Sequence, residues 1–185
     1  MSDMRTLLII ALSFTFAGLS HAKEHMNIGG LHPDKLRVLS PDSQYELWNQ
    51  DDIFVINPRG VDGTFFSDDV PELEGSGSHN ALYATWSPDS RMVAVCIRTG
   101  KYIEDTFVFL RQPHDAWRCL RLPYVDDDYQ AVPIKWLDAT TLIVEMSGPY
   151  GGKADHDIYF YTTMFKYNSA KGAFTMVSST KPHIK

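Results

Sequence analysis

A five-residue element recurs in this chain and limits what it can fold into. Leu39-Ser40-Pro41-Asp42-Ser43 returns 47 residues later as Trp86-Ser87-Pro88-Asp89-Ser90. It returns after another 50 in weaker form, as Trp136-Leu137-Asp138-Ala139-Thr140. Its parts have a mechanical sense. The leading large residue ends one strand pointing into a core, Pro presets φ for a turn, and Asp bonds the backbone two residues on, feeding the next strand. A repeat of this length means one supersecondary unit used several times.

The chain between the copies supports strands. Period-2 runs rich in β-branched and aromatic residues occur at Ile53–Ile56, Met92–Ile97, Thr106–Leu110, Leu142–Met146, Ile158–Tyr161 and Phe174–Val177. Turn chemistry separates them at Asn57-Pro58-Arg59-Gly60, Gln112-Pro113 and Asn168–Gly172. After residue 36 helical periodicity is hard to find, so the expected class is all-β, an antiparallel meander. The segment WSPDSRMVAV resembles the strand-turn-strand element of TolB-type and WD40-like β-propeller repeats, whose pattern is aromatic-Ser-Pro-Asp-Gly before an apolar strand. Only the middle copy matches well: the first has Leu39 in place of an aromatic, and the third lacks Ser-Pro.

The resemblance implies three blade-like units of four strands each, spanning about residues 36–66, 81–122 and 132–178. The strands are expected near 36–39, 44–49, 53–57 and 63–66; then 81–86, 91–98, 106–111 and 116–122; then 132–136, 141–147, 157–167 and 173–178. Closed propellers carry about 4–8 blades, so three leave an incomplete propeller, a sandwich-like stack, or a six-bladed ring shared by two chains. The favoured reading is a single all-β domain over residues 23–185, with a homodimer as the ring-closing option.

Residues 1–22, MSDMRTLLIIALSFTFAGLSHA, read as a signal peptide. Arg5 precedes an apolar run from Leu7 to Leu19, and Ser20 and Ala22 occupy the small-residue positions of a cleavage site after Ala22. The run falls short of the roughly 20 residues a spanning helix needs. The expected product is exported to a bacterial periplasm or secreted, without membrane insertion. With 17 Lys+Arg against 23 Asp+Glu the net charge is −6, which argues against nucleic acid as a partner. The two Cys, Cys96 and Cys119, fall on the second and fourth strands of the middle unit. Two strand spacings, about 9–10 Å, exceed the roughly 7 Å that a disulfide tolerates between Cα atoms. Free, buried thiols are expected.

Sorting loops by the meander gives short turns at one end and unusual ones at the other. The second end collects 49–52, 67–80, 99–105, 124–130 and 148–157, with 13 of the 22 acidic residues left after cleavage, opposed only by Lys101 and Lys153. That face carries about −11. The candidate partner-binding residues are Asp68, Asp69, Tyr102, Glu104, Asp105, Tyr124, Asp126, Asp127, Asp128, Tyr129, Tyr150, Asp155, His156 and Asp157. Tyr offers rigid amphipathic contact area, and acids steer a basic partner. Acidic loops also keep an exported protein in solution, which is the plainer account of the same composition.

Sharper chemistry finds less support. Asp126-Asp127-Asp128 and Asp155-His156-Asp157 carry the oxygen ligands Ca²⁺ takes, yet neither has EF-hand spacing. No His pair has zinc-ligand spacing and no G-x-S-x-G nucleophile is present, so no metal, cofactor or catalytic residue is assigned. Gly148–Lys153 lacks phosphate-loop spacing. The expected function is a non-enzymatic protein-binding module, in its specific form a periplasmic immunity or inhibitor protein whose partner is basic or has a positively charged cleft. Two alternatives stay open: a carbohydrate-active hydrolase using paired acids, and a structural, oligomer-forming propeller fragment.

Overall fold

A computed structural model describes residues 36–61, 65–73, 79–99, 104–123, 130–149 and 158–184. The signal-peptide reading lies outside them. Among the described residues there is no α-helix, and twelve strands build three antiparallel sheets, none closed into a barrel. The first holds β1 (Arg37–Leu39), β2 (Tyr45–Gln50) and β3 (Ile53–Pro58). The second holds β4 (Ala81–Trp86), β5 (Met92–Arg98), β6 (Glu104–Arg111) and β7 (Trp117–Arg121). The third holds β8 (Gln130–Trp136), β9 (Thr141–Pro149), β10 (Ile158–Asn168) and β11 (Ala173–Ser179), with β12 (His183–Ile184) continuing along β10 beyond β11. Each is a meander of sequential neighbours.

The four strands expected in the second and third units are all present. In the first, the strand expected near 63–66 is reduced to a bridge from Phe66 to Val55. Residues 62–64 lie outside the described set. The third gains β12, a two-residue strand that no sequence pattern announced.

Sequence dictates the stacking. β5 (MVAVCIR) and β6 are nearly continuous apolar runs, and all six residues from Met92 to Ile97 are buried. Such a run needs cover on both faces of its sheet. Val93, Val95, Ile97, Phe107 and Phe109 pack with Leu47, Phe54 and Ile56 of the first sheet. Met92, Ala94, Val108 and Leu110 pack with Leu142, Val144, Met146 and Phe165 of the third. The second sheet is therefore the middle layer of three. T-shaped contacts fill the first interface: Phe54–Phe109 at 5.2 Å and Trp86–Trp117 at 5.9 Å between ring centroids.

The recurring element has one geometry in its first two copies. Ser40 Oγ donates to Asp42 at 2.6 Å and accepts the Tyr45 N–H at 2.9 Å; Ser87 Oγ donates to Asp89 at 2.7 Å and accepts the Met92 N–H at 2.9 Å. The Asp carboxylates in turn accept the N–H of Gln44 and Arg91. Ser43 and Ser90 both sit in the left-handed region, φ 57° and 59°, where the repeat pattern has Gly. The two turns are also joined, since the Asp42 N–H donates to Ser90 Oγ at 3.0 Å. In the third copy the Asp138 carboxylate takes over, accepting the N–H of both Thr140 and Thr141.

The leading aromatic has a further task. Trp86 Nε1 donates to Val38 O at 3.2 Å, and Trp136 Nε1 donates to Thr85 O at 3.0 Å. Each acceptor is the residue just before the leading residue of the previous copy. Trp thus fastens the first strand of one sheet to that of the sheet before. Leu39, expected to point inward, is instead 45% exposed. Among the described residues no sheet precedes it.

Both cysteines are free. Cys96 lies opposite Thr106, whose hydroxyl donates to Ala131 O in the third sheet, whereas Cys119 lies opposite Phe109 at the core shared with the first. The thiols therefore face opposite sides of the second sheet, a stronger bar to a disulfide than strand spacing alone. Cys119 is half-buried rather than buried.

Candidate functional site

The acidic end is built around the connection between the first two sheets. Two 3₁₀ turns, Ser67–Asp69 and Pro71–Leu73, present Asp68, Asp69 and Glu72 to solvent while anchoring Ser67, Val70 and Leu73 inside. Ser67 Oγ accepts the Phe54 N–H at 3.1 Å, so the turn is tied to β3. Asp51 and Asp52 form the β2–β3 turn, with Asp51 at φ 53°. Two contacts bring that turn beside the connection. The His79 N–H donates to Asp52 O at 2.9 Å. The Asn49 side chain accepts from Ala81 N at 2.9 Å and donates to Ala81 O at 2.8 Å. Arg121, at the end of β7, donates to Glu72 O at 2.6 Å and lies over the Phe107 ring.

His79 is the clasp of this end, and sequence reasoning passed over it. Its Nε2 faces Leu73 O at 3.1 Å and its Nδ1 faces Asp68 Oδ1 at 2.9 Å. Its side chain is 13% exposed against 65% for Asp68. The imidazole thus holds the second 3₁₀ turn through Leu73 O, with Asp68 of the first close enough for an ion pair when the ring is protonated. A lone His in a loop of fourteen residues carries no sequence signal for such a role, because both partners exist only once the turns have formed.

Of the expected site residues, Asp68 and Asp69 are exposed here. Glu104 and Asp105 are placed differently. Glu104 lies directly opposite Arg98, which donates to it at 3.3 Å, and its side chain is only 14% exposed. Asp105 is half-buried and accepts from Thr99 Oγ1 at 3.0 Å. Both close the β5–β6 connection rather than project from it. Tyr102, Tyr124, Asp126, Asp127, Asp128, Tyr129, Tyr150, Asp155, His156 and Asp157 lie outside the described residues.

At the opposite end, Tyr45 donates its hydroxyl to Asp115, and the Arg111 guanidinium lies 4.8 Å over the Tyr45 ring. Burial pushes the Tyr45 hydroxyl up, and the bond to Asp115 adds to it. His114 and Asp115 are consecutive residues with φ of 62° and 57°. Two non-Gly residues in that region are costly, and the Tyr45–Asp115 contact holds one of them in place.

Nucleophilic chemistry has little material here. Burial raises the Cys119 thiol to about 12, with nearby Glu72 adding to the rise, and burial pushes Cys96 well above the ordinary thiol range. Neither offers thiolate at neutral pH. Among the described residues no group of three or more His, Cys, Asp or Glu could hold a metal ion. Among them, too, no helix is long and apolar enough to cross a membrane. No protein-family model matches the chain, and no curated protein matches it.

Proposed function

We propose that this chain is an exported, non-enzymatic binding module that engages a basic protein partner through its acidic loop end, in the manner of a periplasmic immunity or inhibitor protein. The observation that carries this reading is the pre-organised acidic cluster. Asp51, Asp52, Asp68, Asp69 and Glu72 are exposed, while the backbone beneath them is fixed by Asn49, Ser67, His79 and Arg121. Fixed loops lose little entropy on binding, and a concentration of one charge sign raises the association rate of an oppositely charged partner.

The test pairs the purified chain with the secreted product of the adjacent gene, by calorimetry at low and high salt. Neutralising the cluster (Asp68→Asn, Asp69→Asn, Glu72→Gln) is expected to weaken binding about tenfold or more at low salt, mostly through the association rate. Unchanged affinity in the triple variant, or salt-insensitive binding, would overturn the electrostatic argument. Export is tested separately: the periplasmic fraction should hold a chain beginning at Lys23.

A further inference from the structure

Seven large hydrophobic residues are exposed among the described residues, and four of them, Ile158, Met176, Val177 and Ile184, lie on the last strands of the third sheet. β11 pairs with β10 along one side only, and among the described residues no strand pairs with its other side. Every residue of β11 except Phe174 is exposed. A long open edge of this kind presents unpaired N–H and C=O groups, and natural sheets normally blunt it with charge or Pro. Between Ala173 and Thr180 there is neither, and the one irregularity is a bulge at Val177, where Phe165 pairs with Met176 and Met164 with Ser178.

The charges lie at its ends instead. No Asp or Glu occurs after Asp157, and the described stretch that follows carries Lys166, Lys171 and Lys181, all exposed. Arg118 of β7 adds to one end, since its guanidinium lies against Gly172: a Cβ there would meet Nη1 at 3.1 Å. Antiparallel pairing of β11 with β11 of a second copy would set Lys171 of each copy near Lys181 of the other, and like charges across strands are destabilising. A strand bearing acids at its ends meets lysines instead.

We propose that the free edge of β11 takes up an extended acidic peptide segment as an added strand. Backbone hydrogen bonds from residues 173–179, on either side of the bulge, supply the pairing, Met176 and Val177 supply exposed apolar contact, and Lys171 and Lys181 select acidic ends. This surface is separate from the acidic loop end and serves a partner of opposite charge.

The test uses the full chain, isotopically labelled, titrated with a short capped peptide of alternating valine and threonine ended by glutamates. A peptide with lysines in place of the glutamates, and a version N-methylated at alternate residues, serve as controls. Amide shifts should concentrate on residues 173–179, the lysine peptide should bind about tenfold more weakly or worse, and N-methylation should abolish binding. A Lys171→Glu, Lys181→Glu chain, altered only at exposed positions, should reverse the preference between the two peptides. Equal binding of the two, shifts elsewhere, no binding, or dimerisation of the chain through β11 would each overturn the proposal.

Discussion

Ser43 and Ser90 allow one substitution to be made twice with two different outcomes. Both hold left-handed φ angles, 57° and 59°, which cost a residue bearing a Cβ about 1–2 kcal/mol. Replacement by Gly removes that cost, while the freer unfolded chain returns roughly 0.5–1 kcal/mol. Ser43→Gly, at an exposed turn, should therefore stabilise by about 0.5–1 kcal/mol. Ser90→Gly starts from the same balance but deletes the hydroxyl that accepts the Asp42 N–H, at a position only 1% exposed. That bond is worth about 1 kcal/mol, so the net change should be near zero or destabilising. In urea titrations the two variants should differ by about 1 kcal/mol, or roughly 2–4 °C in Tm for a chain of this size. Equal effects would mean that the bond between the turns contributes nothing. A destabilised Ser43→Gly would refute the left-handed strain argument itself.

Other consequences follow from the same geometry. Trp136→Phe loses the Nε1 bond to Thr85 O together with part of a buried indole, and should cost at least about 1–2 kcal/mol in the same titration; Leu39→Trp, at a position 45% exposed, should change stability by no more than about 0.5 kcal/mol. The Asp138 carboxyl is lowered from 3.8 to about 2 by the Thr140 N–H and then by the Thr140 and Thr141 hydroxyls. Its stabilisation is present above the unfolded value near 3.8 and lost as pH falls through about 2, so wild type and Asp138→Ala should converge in stability over that window. Persistence of their difference at pH 2 would sink the carboxylate account. Intact mass should show both thiols unoxidised, and iodoacetamide at pH 8 should modify Cys119 slowly and Cys96 only after unfolding; a mass two hydrogens lower would mean that the strand assignment around the cysteines is wrong.

How far the chain could be read depended on whether a feature was local. β4 ends where the sequence said, at 81 and 86, and β5, β9 and β10 agree within two residues, because alternation and Pro-Asp turns are encoded within a few positions. The β-class follows from the same signals. That Phe66 makes an isolated bridge to Val55 was not legible, since Phe65 and Phe66 have strand chemistry whether or not their neighbours pair. β12 was illegible for the reverse reason: two residues after Lys181-Pro182 carry no period, and their pairing depends on where β10 ends. At the acidic end, counting charges found Asp68 and Asp69 but also took in Glu104 and Asp105. Composition cannot distinguish an exposed acid from one held by Arg98 across a strand pair. His79 and Arg121 were invisible because they act on carbonyl groups, which every residue possesses.

The lapse of the repeat pattern at Leu39 is itself explained by packing. If the aromatic served only to fill its own sheet's core, all three leading positions would need one. Its second use is to donate Nε1 to the preceding sheet, as Trp86 and Trp136 both do. Among the described residues no sheet precedes Leu39, which is 45% exposed. The Pro is dispensable for a related reason. In the third copy Asp138 caps both Thr140 and Thr141, supplying through a carboxylate the turn that Ser-Pro-Asp supplies through a hydroxyl and a fixed φ. What the three copies share is thus a set of backbone groups to be satisfied, and the residues that satisfy them differ with each sheet's neighbours. The weakest-looking copies are adapted to their positions in the stack.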